Sequence, residues 1–329
     1  MARILLTHTL DMRRNYYGER ALAGLRALGD VILHQGQQPL GAEALAAAAR
    51  DARIVVADRN TPGPRAVFDR SPQLMAFVRC AVDIRNIDVA AASEHGVLVT
   101  RASAGFVPAV TELVFGFMVD LSRGVSRAVA DYRAGRTPSA GMGRQLAGST
   151  LGVIGYGAIG RRVAAMGVAL GMRVFVNDPH ALVAEPGIEQ VGFGDLLANA
   201  DFVVCLAVAT EETENLMNDV AFMRMKPGSF FINVSRGNLV DEAALARALD
   251  SGRIAGAALD VGRAGDQMPT PALARHHRVV ATPHVGGLTP QAIEHQALET
   301  VAQVAEIVKG RAPKGAVNAE KASRLEALA

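Results

Sequence analysis

Tryptophan is absent from this chain, aromatic residues make up only 5% of it, and cysteine occurs twice. Cys80 and Cys205 each sit in an apolar, strand-like run, far apart in sequence. They form neither a metal-ligand spacing nor a disulfide framework, which fits a reducing cytoplasm. No apolar run approaches the length of a membrane span, and the opening MARILLTHTLDMRR has an apolar core too short for a signal peptide. A surplus of one charge is also missing. The formal net charge of +2 is too small to imply a nucleic-acid or membrane surface by itself.

What is present is a 329-residue chain, half of it apolar, dominated by alanine and glycine. The length suggests two domains, and the composition suggests helices packed tightly on sheets. It excludes neither an enzyme nor a binding protein. RILLTH, DVILH, ARIVVAD, LMAFVRC and GVLVT read as short buried strands. Alanine-rich helical stretches such as LGAEALAAAARD lie between them. This alternation over roughly the first hundred residues predicts a parallel sheet covered by helices. Apolar residues then recur at helical spacing from Val110 to Tyr132, predicting one long helix over 108–133 with Pro108 in its first turn. That helix has more apolar positions than one domain face needs. The following loop, RAGRTPSAGMGRQLAG, could extend as an arm, and together they suggest a homodimer. The C-terminal AEKASRLEALA reads as a short helix or a frayed tail.

The second alternating run carries the strongest local motif. In STLGVIGYGAIGRRVAAMGVALGMRVFVNDP, a strand over 151–154 meets a glycine turn, a helix over 158–170 and a second strand over 173–176. Gly155, Gly157 and Gly160 form GxGxxG at the strand-to-helix junction. The first permits a tight turn, the second lets backbone approach a pyrophosphate, and the third lets helix and strand pack closely. The helix N-terminus offers N–H groups and a positive dipole end to phosphates. Asp178 ends the next strand at the offset where an acid binds a ribose 2′-hydroxyl. It therefore favours NAD over a cofactor bearing a 2′-phosphate. Its bland alternative is a solvated turn residue before Pro179.

DFVVCLA, SFFINVSRGNLV, IAGAALDV and RVVATPHVGG continue the pattern. In a parallel sheet the ligand lies outside the carboxyl ends of the strands. Val234, Ser235 and Arg236, then Asp260, then His284 are therefore expected to converge. Arginine can hold a carboxylate by two parallel hydrogen bonds, and histidine can give or take a proton near neutral pH. Asp241, before EAALARAL, reads as a helix N-cap. The remaining histidines, His8, His34 and the pair His276-His277 among them, belong to no motif and read as surface or packing residues.

GYGAIG with NDP, ETENLMN, MKPGSFFINVSRGNLVDEAALARAL, AGAALDV and ATPHVGG, in this order, resemble the D-isomer-specific 2-hydroxyacid dehydrogenase family. RNID and TELVFGFM extend the likeness over nearly the whole chain. The resemblance implies an α/β fold of two Rossmann-like domains with parallel sheets, the cofactor domain inserted into the substrate domain. On that basis residues 1–101 and 286–329 form the substrate domain and residues 102–285 bind NAD. It implies that Arg236 binds the substrate carboxylate and carbonyl and that His284 is the acid/base. It also implies cofactor contacts from Gly155, Gly157, Ala158, Ile159, Gly160, Asp178, Thr213, Val234, Ser235, Arg236, Asp260, His284, Gly286 and Gly287. Val82 and Asp83, in the substrate loop AVDIRNID, are expected to meet the substrate. No metal is implied, and a homodimer is.

Two departures stand out. The family's glutamate, which pairs with the histidine, falls at Gly265 in LDVGRAGDQMP. An acid appears one residue later, Asp266, which either pairs with His284 or is a solvated loop residue. In the substrate loop, Asp83 and Arg85 replace the usual glycine and aspartate. Arg79, Arg85 and Arg101 are either structural or able to meet a second acid group on the substrate. The expected activity is reversible reduction of a 2-oxo acid. The alternatives are a dehydrogenase of another small anion, such as a phosphonate, and a non-enzymatic, corepressor-like NAD sensor.

Overall fold

The computed structural model describes residues 2–328, with side chains described up to residue 325. Two compact units emerge. One comprises residues 1–106 and 289–329, the other residues 107–288.

The first unit is built on five parallel strands, β1 (Ala2–Leu6), β2 (Gly29–Leu33), β3 (Ile54–Ala57), β4 (Ala76–Arg79) and β5 (Leu98–Arg101), in the order β2-β1-β3-β4-β5. The strand period of two divides their apolar residues between two cores. Ile4, Leu6, Ile54, Val56, Ala76, Val78 and Leu98 face one, with Leu22 and Leu25 of the helix Glu19–Leu28 and Val304 and Ile307 of the helix Pro290–Ile307. Leu5, Val55, Ala57, Phe77 and Val99 face the other, with Leu45, Val67, Phe68 and Ala91. A parallel sheet covered on both faces needs continuous apolar runs, which is why these strands were legible. Helix Pro290–Ile307 packs so closely on helix Glu19–Leu28 that a Cβ on Gly24 would lie 2.8 Å from Val301.

The second unit holds seven parallel strands: β6 (Thr150–Ile154), β7 (Arg173–Asn177), β8 (Ile188–Gln190), β9 (Phe202–Cys205), β10 (Ser229–Asn233), β11 (Ile254–Leu259) and β12 (Val279–Ala281). Their order is β12-β11-β10-β9-β6-β7-β8. The chain winds outward from β6 through β7 to β8, then returns beside β6 as β9 and winds the other way. The strand order therefore reverses between β6 and β9, the place where doubly wound sheets bind ligands. Asp241 caps the helix Glu242–Asp250, accepting from the N–H groups of Ala243 and Ala244.

The single long helix expected over 108–133 is two helices, Val107–Arg123 and Val125–Arg133. Gly124 separates them in the left-handed region at φ 65°, a conformation glycine adopts at no steric cost. Asp120 fixes the break by accepting from the Ser126 N–H at 2.8 Å. The apolar spacing runs on across Gly124, so periodicity alone gives no sign of the kink. At the C-terminus, Ala319–Lys321 and Ser323–Leu328 form 3-10 turns. Ala329, the last residue of the tail read above, lies outside the described residues. Among the described residues no helix is long and apolar enough to cross a membrane.

Arg79 is not available to an acid group on a ligand. It ends the inner strand β4 and has no solvent exposure. Its guanidinium donates to the carbonyls of Asp58 and Thr61 and to Oδ1 of Asn86. Burial pulls its pKa down to about 10, against the nearby Asp58. His8 is buried as well, against the ring of Tyr17.

Candidate active site

The carboxyl end of β6 turns at Gly155, whose φ of 96° only glycine tolerates. A Cβ there would sit 2.7 Å from the Leu206 carbonyl and the Ala207 nitrogen, just beyond β9. At Gly160 a Cβ would lie 2.1 Å from the Gly155 oxygen, so helix Ala158–Ala169 can approach the turn only without a side chain there. Gly157 differs. A Cβ on it would meet nothing within 4 Å, and as the N-cap it offers no side chain to the first helical turn. The first helical residues, Ala158 and Ile159, thus follow an open backbone position. An open glycine before an uncapped helix N-terminus suits a bound phosphate.

Asp178 follows β7. Its Oδ2 accepts from the Tyr156 N–H at 2.6 Å, inside the glycine turn, and its Oδ1 from the N–H groups of His180 and Ala181 at 2.8 and 3.1 Å. Burial pushes its pKa up, but these three donors outweigh that and hold the carboxyl below its usual range. It is therefore a fixed negative charge beside the turn. Together the open Gly157, the helix terminus and the held carboxylate fit the pyrophosphate and ribose of a dinucleotide.

Further along the sheet, the β10 end is stitched by Asn233. Its Oδ1 accepts from Ser235 N–H at 3.1 Å and its Nδ2 donates to the Arg236 carbonyl at 2.9 Å. Ser235 Oγ donates to the Ala207 carbonyl at 2.7 Å, joining the β9 and β10 ends, and Val234 is buried. Arg236 is extended, with one guanidinium N–H donated to the Ser235 carbonyl at 2.8 Å. Thr213 staples its own loop, donating to the Val208 carbonyl at 2.7 Å.

Asp260 follows β11 and is 2% exposed. Its Oδ1 accepts from Thr282 Oγ1 (2.6 Å) and Val285 N–H (2.8 Å), and its Oδ2 from Gly286 N–H (2.8 Å). His284 itself is left-handed, φ 56°. A left-handed residue turns successive backbone N–H groups toward one point and so makes a nest for an anion. The buried carboxylate fills it, which holds His284 in a conformation uncommon outside glycine. A Cβ on Gly286 would press within 2.9 Å of that carboxylate. Gly287 continues the same turn. Asp266 meets His284 through its main-chain carbonyl, 2.8 Å from Nδ1.

Asp260 is thus bonded to Gly286 and Asp266 to His284, and the turn over 284–286 joins the two pairs into one group. Gly155, Gly157, Gly160 and Asp178 form a second group on the same sheet edge. Val82 and Asp83 belong to the other unit, where Asp83 chelates Arg85 with contacts of 2.6 to 3.1 Å. Sequence reasoning missed Asn233, Thr282 and Gln267. The first two lie inside motifs that were read without being singled out, and a strand-end Asn or Thr is a usable signal. Gln267 carries none, because its left-handed backbone, φ 58°, is invisible in a glutamine. Among the described residues no cluster of His, Cys, Asp or Glu could hold a metal ion.

Residues 115–286 match the family model described as D-isomer specific 2-hydroxyacid dehydrogenase, NAD binding domain. Among curated proteins, the chain is 36% identical over 322 residues to D-3-phosphoglycerate dehydrogenase 2, chloroplastic, of Arabidopsis thaliana, covering 96% of this chain and 50% of that protein. It is 34% identical over 304 residues to D-3-phosphoglycerate dehydrogenase of Mycobacterium leprae, covering 91% and 57%. The chain thus spans about half the length of the curated relatives it matches. Among solved structures, the TT0316 protein from Thermus thermophilus superposes with a TM-score of 0.84 at 30% identity over 96% of this chain and 99% of that one. The apo D-lactate dehydrogenase of Escherichia coli gives 0.81 at 27% identity over 96% and 99%. The glycine turn, the held Asp178 and the strand-end set around His284 all fall within the matched segment, and the chain belongs to the D-isomer specific 2-hydroxyacid dehydrogenase family, whose NAD-binding domain it carries.

Proposed function

We propose that this protein interconverts a D-2-hydroxy acid and the corresponding 2-oxo acid with NAD as cofactor. The observation that supports it most is that Arg236 and His284 follow strands of the same sheet that carries the glycine turn, on its carboxyl edge. Arg236 anchors the substrate carboxylate through its planar fork and polarises the carbonyl, so that binding fixes orientation and stabilises developing charge. His284 donates a proton to the nascent alkoxide in reduction and accepts the hydroxyl proton in oxidation. When bound, the nicotinamide supplies or takes the hydride. Gly155, Gly157, Ala158, Ile159, Gly160 and Asp178 hold the dinucleotide, with Thr213, Val234, Ser235, Asp260, Gly286 and Gly287 lining its further course. Val82 and Asp83 are assigned to the substrate on resemblance alone. The buried free thiols Cys80 and Cys205 support a reducing, cytoplasmic setting.

A panel of 2-oxo acids of different size and charge, phosphorylated ones included because the relatives are D-3-phosphoglycerate dehydrogenases, tests the reading with NADH and NADPH. At least one acid should consume NADH, at a kcat/KM at least about tenfold above that with NADPH, a difference of about 1.4 kcal/mol. The fixed Asp178 carboxylate repels a 2′-phosphate. Equal use of both cofactors would remove Asp178 from the ribose. No consumption with any acid would leave the corepressor-like reading.

A further inference from the structure

The chemistry above does not explain why residues 262–268 form a tight strap with two adjacent non-glycine residues, Asp266 and Gln267, at φ 55° and 58°. A left-handed residue costs roughly 1–2 kcal/mol, and such conformations persist only where the surroundings over-determine them. Here they are over-determined. Within the strap, Gly262 N–H donates to the Gln267 carbonyl (2.7 Å), Ala264 N–H to the Met268 carbonyl (3.0 Å) and Met268 N–H to the Gly265 carbonyl (3.2 Å). From outside, Glu242 accepts from Arg263 N–H (3.0 Å) and Thr270 Oγ1 (2.8 Å). The Arg263 guanidinium donates to the Val240 and Asn238 carbonyls, to Glu214 and to Asn215.

The strap faces two ways. On one side the left-handed Asp266 presents its carbonyl oxygen 2.8 Å from His284 Nδ1. A carbonyl only accepts, so Nδ1 must carry the hydrogen. Neutral His284 is then the Nδ1–H tautomer, and Nε2 is the nitrogen that exchanges a proton. On the other side the strap lies against the backbone next to Arg236. A Cβ on Gly237 would fall 2.1 Å from the Gly262 oxygen, and Gln267 Oε1 accepts from Gly237 N–H at 3.4 Å, a weak bond.

We propose that residues 262–268 are a positioning element in which the main-chain carbonyl of Asp266 sets the tautomer and angle of His284, one residue after the position, Gly265, where the family resemblance expects a glutamate. Gln267 and the Gly237–Gly262 contact keep that ring in register with the Arg236 backbone. The kinetic consequence rests on His284 being the acid/base, but the tautomer can be observed without turnover. The test is 15N NMR of histidine-labelled protein at about pH 8.5, above the ordinary imidazole range, with His284 assigned by its loss in His284→Ala. The wild type should show a protonated Nδ1 and a bare Nε2. Asp266→Gly keeps the carbonyl and favours left-handed backbone, so it should retain that pattern. Asp266→Pro, with φ fixed near −65°, should lose it to a tautomer mixture. It should also lower kcat by about 10²-fold, the low end for a positioned acid/base, at unchanged NADH dissociation constant. An Nε2–H wild type, loss of the pattern in Asp266→Gly, or its survival in a folded Asp266→Pro would each overturn the proposal. If Asp266→Pro does not fold, the wild type and Asp266→Gly decide. An acid panel without activity would sink the dehydrogenase reading and leave the tautomer result standing.

Discussion

The side chains around the candidate site are held mostly by backbone. Asn233 bonds Ser235 N–H and the Arg236 carbonyl, Asp260 bonds two successive N–H groups, and Asp178 bonds three. Such bonds fix the course of the chain that carries Arg236, the residue proposed above to anchor the substrate carboxylate. Arg236→Lys keeps the charge but offers a single ammonium in place of the fork. We expect kcat/KM for the best acid to fall by about 10²-fold or more, roughly 2.7 kcal/mol, with NADH affinity little changed by titration. Near-normal efficiency in that variant would mean that another residue anchors the carboxylate.

At the level of elements, the glycine turn separates packing from binding within one motif. Gly160→Ala would drive a Cβ against the rigid Gly155 carbonyl, and overpacking of that kind costs about 1–3 kcal/mol. Gly157→Ala meets nothing and sits at an ordinary φ of −74°. Thermal unfolding should therefore show a lowered Tm for Gly160→Ala and an unchanged one for Gly157→Ala, while NADH titration shows weakened binding in both. If Gly157→Ala binds NADH normally, the phosphates do not approach that position. The motif was readable because each glycine answers a local steric demand. The break at Gly124 was not, since Val125, Ala128 and Val129 continue the apolar spacing past it.

For the molecule as a whole, two properties follow from what is buried and what is left out. His8 is buried with its pKa lowered to about 4, chiefly by burial, with Arg13 and Arg79 adding to the shift and Asp58 opposing it. The unfolded chain, near 6.5, therefore binds the proton more readily. Stability is full above about pH 6.5 and falls as the pH drops toward 4, by about 3 kcal/mol in all. Urea unfolding followed by circular dichroism should show this loss, and His8→Phe, which cannot titrate, should flatten it. A wild-type stability constant from pH 7 to 4 would contradict the burial argument. On the surface, Val119, Val125, Val129 and Tyr132 are 40–69% exposed on the helices Val107–Arg123 and Val125–Arg133, and Met142 is fully exposed in the loop that follows. We propose that they are covered in a homodimer formed through this unit. Sedimentation at micromolar concentration yielding only a 34.5 kDa species would exclude it.

The sequence by itself determined every strand but the short edge strand β8, whose residues are not buried, together with the glycine turn, the Asp241 cap and the placement of Arg236 and His284 just beyond strands. Each of these depends on local sterics or on continuous apolar runs closed by polar or glycine residues, and both are written in residue types. The tertiary structure alone decided that Arg79 is sealed in the first unit, because its exposure depends on Asp58, Thr61 and Asn86, which come from other segments of the chain. It alone decided that Asp260 fills the His284 turn and that Asp266 reaches His284 through a carbonyl. Every residue carries the same main-chain groups, so no residue type announces which carbonyl will face which ring. That is settled only when separate strands bring their ends together.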